Sequence, residues 1–120
     1  MNKIILSGRL VADPEVRYTQ TNNTLVATFR LAVNRKMEKD KADFFNIVAY
    51  GKTGEFASKY FKKGLLVIVT GRLQTRSYED KDGKTTYVTE VIAEEVEFGE
   101  SKKEEKQADF TPVTDADLPF

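Results

Sequence analysis

DFFNIVAYGKTGEFASKYFKKGLLVIVTGRLQTRSY, residues 43–78, is the stretch whose reading decides the fold. Its middle, TGEFASKYFKKG (53–64), carries the marks of one short helix. Thr53 is placed to cap it, Glu55 suits the first turn, and Phe56, Ala57, Tyr60 and Phe61 fall on one face. Lys62 and Lys63 fall in the last turn, where cations are favoured, and Gly64 stops the helix. On either side the period changes to two: DFFNIVAYG before and LLVIVTGRLQTRSY after read as strands.

Working outward, KIILSGRLV (3–11) alternates, with Ile4, Leu6, Gly8 and Leu10 on one face and Lys3, Ile5, Ser7 and Arg9 on the other. TLVATFRLAVNR (24–35) is a second strand, with Phe29, Leu31 and Val33 in phase. TTYVTEVIAEEVEF (85–98) is the last, entered through EDKDGK, whose Asp82-Gly83 is a hairpin signal. DPEVRY (13–18) reads as a turn at Asp13-Pro14, with Glu15 and Arg17 as a local pair. Three strands, one helix and two strands is the order of a five-stranded OB barrel, so the expected class is all-β with one short helix.

Composition narrows the chemistry. At 120 residues one domain with a modest core is expected, and the chain has neither cysteine nor histidine. Disulfides, thiolate zinc sites, cysteine nucleophiles and the commonest general base are excluded together. An enzyme would have to work through carboxylates, Lys or Tyr, and no acids converge, so no catalysis and no cofactor are expected. Glu79, Asp80 and Asp82 surround a glycine turn without the alternation of a calcium loop, so they read as hairpin solvation. No run approaches the ~18 apolar residues of a membrane span, and MNKIILSGRL is too short and polar for a signal peptide. A cytoplasmic location is expected.

The zero net charge hides an asymmetry. Residues 1–98 hold 16 Lys/Arg against 13 Asp/Glu, and residues 99–120 hold 3 Lys against 6 acids. The expected organisation is a mildly basic domain over 1–98, a disordered linker over 99–114 and an acidic tip, DADLPF, over 115–120. The linker has too few apolar residues to offset its ordering entropy. Phe110 is an isolated aromatic within it.

The faces of the strands point to a ligand. Phe44, Asn46, Val48 and Tyr50 share one side of their strand, and Phe45, Ile47 and Ala49 the other. Val67, Val69, Gly71 and Leu73 form an apolar face opposite Arg72, Gln74, Arg76 and Tyr78. Arginines bind phosphate and flat rings stack on bases, so aromatics interleaved with cations on a barrel exterior suit single-stranded nucleic acid.

On NKIILSGRL, DPEVRY, FRLAVNR (29–35), DFFNIVAYGK, KKGLLVIVTGRLQTRSY, YVTEV (87–91) and the final DLPF, the chain resembles the bacterial and phage single-stranded DNA-binding proteins, SSB. That resemblance implies an OB fold, sequence-tolerant binding of single-stranded DNA as a homotetramer, and no catalysis. It places stacking on Phe44, Tyr50 and Tyr78. Phosphate and sugar contacts fall on Lys52, Lys62, Lys63, Arg72 and Arg76, with Arg35-Lys36 in a nearby loop. Lys3, Arg30, Asn34, Met37, Asn46 and Gln74 complete the expected DNA-binding set. It also implies that Asp115, Asp117, Leu118, Pro119 and Phe120 dock on replication, recombination and repair proteins. The setting would be the nucleoid, or the host cytoplasm for a phage-encoded copy. The chain departs from the family in having no Trp, in Asn46 where some members carry Arg, and in Ala116, which interrupts the acidic run. An OB accessory module acting in protein recruitment, or one binding RNA, remains the alternative.

Overall fold

A computed structural model describes residues 1–99. Along the chain run β1 (Ile4–Leu10), β2 (Glu15–Tyr18), β3 (Leu25–Asn34), β4 (Ala42–Tyr50), α1 (Gly51–Tyr60), β5 (Leu66–Glu79) and β6 (Thr85–Phe98). The sheet order is β1-β5-β6-β4-β3-β2, and β1 also pairs with β3 through Arg9–Ala32 and Leu10–Leu31. That second pairing closes the ring β1-β5-β6-β4-β3, the five-stranded barrel expected from the sequence. All pairings are antiparallel except β4–β6, which is parallel and two pairs long: Ile47–Val91 and Val48–Ile92.

The described residues contain six strands, not five. Asp13-Pro14 does interrupt the chain, but Glu15–Tyr18 then pairs with Thr28–Leu25 further along the same edge of β3 that β1 uses. The amide of Val11 donates to the carbonyl of Arg30 between the two pairings, at 3.0 Å. β2 thus continues β1 past a bend. Only four residues long and exposed throughout, it lacks the buried–exposed alternation by which a strand is recognised.

The core follows the period of two. Leu6, Leu10, Ala27, Phe29, Leu31, Ile47, Ala49, Val67, Val69, Val91 and Ala93 all point inward and are buried. Burying a side chain of this size contributes roughly 1.5–3 kcal/mol, so these strands commit their alternate positions to the interior. One end of the barrel is closed by aromatics from α1 and its exit. Phe61 meets Phe29 edge-on at 5.7 Å and Phe98 at 5.9 Å, while Phe56 lies 5.6 Å from Phe98.

The helix begins and ends earlier than the sequence suggests. Tyr50 is its N-cap residue in extended conformation, and no side chain caps it. Tyr50 is still paired with Val26 of β3, so the chain passes straight from strand to helix and reaches Thr53 already inside it. Its first turn holds no acid, so Glu55 does not serve there. At the other end Phe61 turns extended and drops into the core. Lys62 and Lys63 therefore lie in the following turn, and Lys59 is the cation of the last helical turn.

A bulge in the β5–β6 ribbon sets the geometry of the exterior. Thr70 pairs with Glu95 but Gly71 pairs with Ala93, so Glu94 is the extra residue. The inward positions of β6 accordingly step from Val91 and Ala93 to Val96 and Phe98. A Cβ on Gly71 would sit 2.1 Å from the carbonyl oxygen of Ile92, so only glycine admits this approach. Past Val91 and Ile92, the residues of β6 that pair with β4, the ribbon runs on with no further strand partner among the described residues. Leu73 keeps its expected face, opposite the buried Val91, but is itself 40 % exposed. The hairpin closes at Gly83, in the left-handed region at φ 79°, with Asp80 Oδ1 accepting from the amides of Asp82 and Lys84 at 2.9 Å each. The acids of this turn thus act on its own backbone. No helix among the described residues is long and apolar enough to cross a membrane.

Candidate nucleic-acid interface

The sheet order gathers the outward residues of four strands onto one face. From β3 come Thr28, Arg30, Ala32 and Asn34, and directly across on β4 stand Val48, Asn46, Phe44 and Ala42. Val48 pairs in turn with Ile92 of β6, which pairs with Arg72 of β5. Further along that ribbon Gln74 faces Glu90, Arg76 faces Val88 and Tyr78 faces Thr86. Residues far apart in sequence, such as Val48 and Ile92, thereby become neighbours, which no reading of single strands supplies.

Three rings stand out from this face: Phe44 is 51 % exposed, Tyr50 47 % and Tyr78 48 %. Ordinary folding would bury rings of this size, and nothing on their own strand does so. The guanidinium of Arg30 lies 4.9 Å from the centre of the Phe44 ring, a cation–π contact that occupies one side of the ring. Arg72 donates to Gln74 Oε1 at 3.1 Å, and its Nε stands 3.9 Å from Glu94 Oε2. Lys3 reaches the other oxygen of the same carboxylate at 3.4 Å. Glu94, the bulged residue, therefore ties Lys3 to the Arg72 end of the face.

A cleft runs where β2 and the β5–β6 ribbon stand above β3 and β4. One hollow, about 380 Å³, is lined by Asp13, Glu15, Arg30, Asn46, Arg76 and Glu90, among others. A second, about 610 Å³, is lined by Arg17, Tyr18, Tyr50, Arg76 and Glu90, among others. Val26, Val48 and Ile92 form a small buried apolar cluster separate from the main core, and Val26 and Val48 line the second hollow. The cleft thus offers rings, guanidinium groups and apolar walls together.

Other sequence-predicted residues are placed differently. Arg35 forks onto Asp43, with Nη2 to Oδ1 at 2.9 Å and Nε to both oxygens at 3.2 Å, and also pairs with Glu38. Hydrogen bonds from Arg35 hold the Asp43 carboxyl below its ordinary range, and the guanidinium of Arg35 is held above its own. Arg35 is in this arrangement a staple of the 35–41 loop. Its neighbours Lys36 and Met37 are exposed on that loop, and Asn34 is exposed at the end of β3. Lys52 is exposed in α1, two residues beyond Tyr50. Lys62 and Lys63 are exposed in the turn after α1, and the Lys63 amide donates to Asp13 Oδ1 at 2.8 Å, at the rim of the smaller hollow.

Two features were missed by sequence reasoning. Tyr18 lines the cleft only because β2 extends the sheet. Glu90 is the larger omission. It is buried, and its Oε1 accepts from Arg76 Nε at 2.9 Å, which raises the Arg76 pKa. Its signal was present as one acid abutting the apolar run Val91-Ile92-Ala93. Among the described residues no group of three or more His, Cys, Asp or Glu could hold a metal ion.

The profile of the "Single-strand binding protein family" matches residues 1–99. "Single-stranded DNA-binding protein 2" of Clostridium acetobutylicum is 47 % identical over 133 aligned positions, covering all of both chains. "Single-stranded DNA-binding protein" of Clostridium tetani is 40 % identical, again over the whole of both. "Single-stranded DNA-binding protein" of Bacillus cereus is 53 % identical over 106 positions, which cover 85 % of this chain and 62 % of that one.

Proposed function

Because this chain belongs to the single-strand binding protein family, we propose that it binds single-stranded DNA with little regard to sequence, through the outer face of β3–β6. The observation that carries this reading is the convergence of exposed Phe44, Tyr50 and Tyr78 with Arg30, Arg72 and Asn46 on one face of a closed barrel. Bases stack on the rings, and cations displace the counterions condensed on the phosphates. Duplex DNA keeps its bases inside the helix and offers nothing to the rings. The function is binding, not catalysis.

Within that face Phe44, Tyr50 and Tyr78 take the bases. Lys3, Arg30, Asn34, Lys36, Met37, Asn46, Lys52, Lys62, Lys63, Arg72, Gln74 and Arg76 flank the strand's path. Arg35 contributes by holding its loop. The working form is a homotetramer in the cytoplasm, protecting exposed single strands during replication, recombination and repair. Asp115, Asp117, Leu118, Pro119 and Phe120 dock on proteins of those processes, the acids steering and Leu118 and Phe120 entering an apolar pocket. These tip residues, the 99–114 linker beyond Gly99 and Phe110 lie outside the described residues.

The test is a salt series of fluorescence anisotropy with labelled oligo-dT, duplex DNA and RNA of equal length. Oligo-dT should bind best, with log K falling against log salt at about −0.7 per phosphate neutralised. Equal affinity for duplex would overturn the reading, and tighter binding of RNA would move it to an RNA-binding module. Tryptophan quenching cannot serve, since the chain has no Trp.

A further inference from the structure

The cations of the face differ in the acids they meet. Arg76 has one acid to itself: Glu90 is buried, and its Oε1 accepts from Arg76 Nε at 2.9 Å. At the bulge two cations meet a single acid. Glu94 Oε1 faces Lys3 Nζ at 3.4 Å, and Glu94 Oε2 faces Arg72 Nε at 3.9 Å. This group of three keeps a net positive charge, where the Arg76–Glu90 pair keeps none. Its side chains are all about half exposed, and neither contact is short. Ion pairs of that kind are held weakly and are open to exchange with another anion.

The cations are fixed better than the acid between them. Asn2 donates from Nδ2 to the carbonyl of Leu73 at 2.8 Å, and its Oδ1 accepts from the Leu73 amide at 2.9 Å. These two bonds pin the residue before Lys3 to the residue after Arg72. Arg72 Nη1 donates to Gln74 Oε1 at 3.1 Å, which holds the guanidinium from its other end. Glu94 lacks such support, being the extra residue of the bulge with no cross-strand partner on β5. Across the sheet Arg72 pairs with Ile92, and Ile92 with Val48, which stands between Asn46 and Tyr50 on the outer side of β4. Arg72 is thus two strand spacings, about 10 Å, from the row that carries the Tyr50 ring.

We propose that Lys3 and Arg72 form one phosphate-binding notch, which Glu94 occupies as a stand-in until a phosphate of the DNA strand displaces it. A phosphodiester spreads its single negative charge over two oxygens on one atom, as a carboxylate does, and can face both cations in the same way. Capture of the strand at this point is an exchange of anions. The released carboxylate takes up a cation from solution, which offsets the counterion set free by the phosphate. Glu94 thereby weakens binding and flattens its salt dependence without touching a base. The notch rests on the single-stranded DNA reading above.

The experiment is a salt series of anisotropy titrations with labelled oligo-dT. It uses the full chain, Glu94→Gln, Glu97→Gln, Lys3→Gln and the double variant of Lys3→Gln with Glu94→Gln. Glu97 is exposed on the same strand, opposite Ile68, and has no ion pair among the described residues. Its variant makes the same change of net charge away from the notch. Glu94→Gln, at an exposed side chain, should tighten binding roughly threefold to tenfold at low salt and steepen the slope of log K by up to about 0.7. Glu97→Gln should change affinity by less than about twofold. Lys3→Gln should cost more affinity in the Glu94→Gln chain than in the unaltered one, because there the lysine has no acid to give up. Unchanged affinity and slope for Glu94→Gln, an equal gain from Glu97→Gln, or an equal cost of Lys3→Gln in both chains overturns the stand-in role and leaves the proposed function intact. Failure of the unaltered chain to bind oligo-dT overturns both.

Discussion

The two faces of β4 differ by one residue at every step and meet different surroundings. Ile47 and Ala49 are fully buried in the barrel, while Phe44, Asn46 and Tyr50 stand in the open on the other side. Both sets include apolar or aromatic residues, so hydrophobicity alone does not separate core from site. What separates them is register. The inner set is packed into the barrel's core cluster, whereas on the outer side Asn46 and Tyr50 line the cleft and Phe44 lies against Arg30. On the binding face proposed above, stability and binding fall to alternate residues of the same strand, which makes them separable by mutation.

Truncating the inner face should give the largest effect. Ile47→Ala should cost about 2–5 kcal/mol of unfolding free energy, measured by urea denaturation, because it opens a cavity in a fully buried site. Loss of less than about 1 kcal/mol would contradict the placement of Ile47 in the core. Gly71→Ala should follow at roughly 1–3 kcal/mol, since its methyl group meets the Ile92 carbonyl and the bulge must shift. Because the bulge also aims the ribbon, this variant should lose oligo-dT affinity even where it remains folded. Undiminished affinity would detach the bulge from the site.

The outer face should respond in the opposite manner. Phe44→Ala or Tyr78→Ala should each weaken oligo-dT binding by about 1–3 kcal/mol in anisotropy, with the urea midpoint nearly unchanged. A variant that lowers stability but not affinity would return its ring to the structural set. The smallest effect belongs to the loop staple. Asp43 has its pKa lowered by Arg35, so it favours the folded loop when ionised and loses that contribution as pH falls below its ordinary value of about 4. Amide protection factors in residues 35–41 should fall between pH 5 and pH 3, and Asp43→Asn should show the low-pH protection already at pH 7. Protection that is flat with pH would remove the staple.

Much of the barrel was legible because a period of two survives in β1, β3, β4 and the first half of β5. The helix between β4 and β5 supplied the order of elements. Its limits were misread for a physical reason: the pairing of Tyr50 and the burial of Phe61 fix where it starts and stops, and those are tertiary facts. β2 escaped notice because both its faces are exposed. Leu73 lies on the side that alternation gives it and is still 40 % exposed, because alternation sets a side and not how deeply that side is covered. For the site, the strand pattern put Phe44, Asn46 and Tyr50 on one side of β4 and Arg72, Gln74, Arg76 and Tyr78 on one side of β5, as the pairing has them. Arg35 and Arg76 also pair with acids, Asp43 and Glu90, that lie on neighbouring strands and are invisible to a single-strand pattern.

The sequence by itself determined which residues alternate, the class of barrel that follows and the absence of His and Cys chemistry, because these depend on local periodicity and composition. Only the tertiary structure decided which outward residues are neighbours. The bulge at Glu94, the parallel seam between β4 and β6 and the bend between β1 and β2 set the register across the sheet. Register arises from the joint packing of all the strands, so the cleft and the buried Glu90 beneath Arg76 exist only once the barrel has closed.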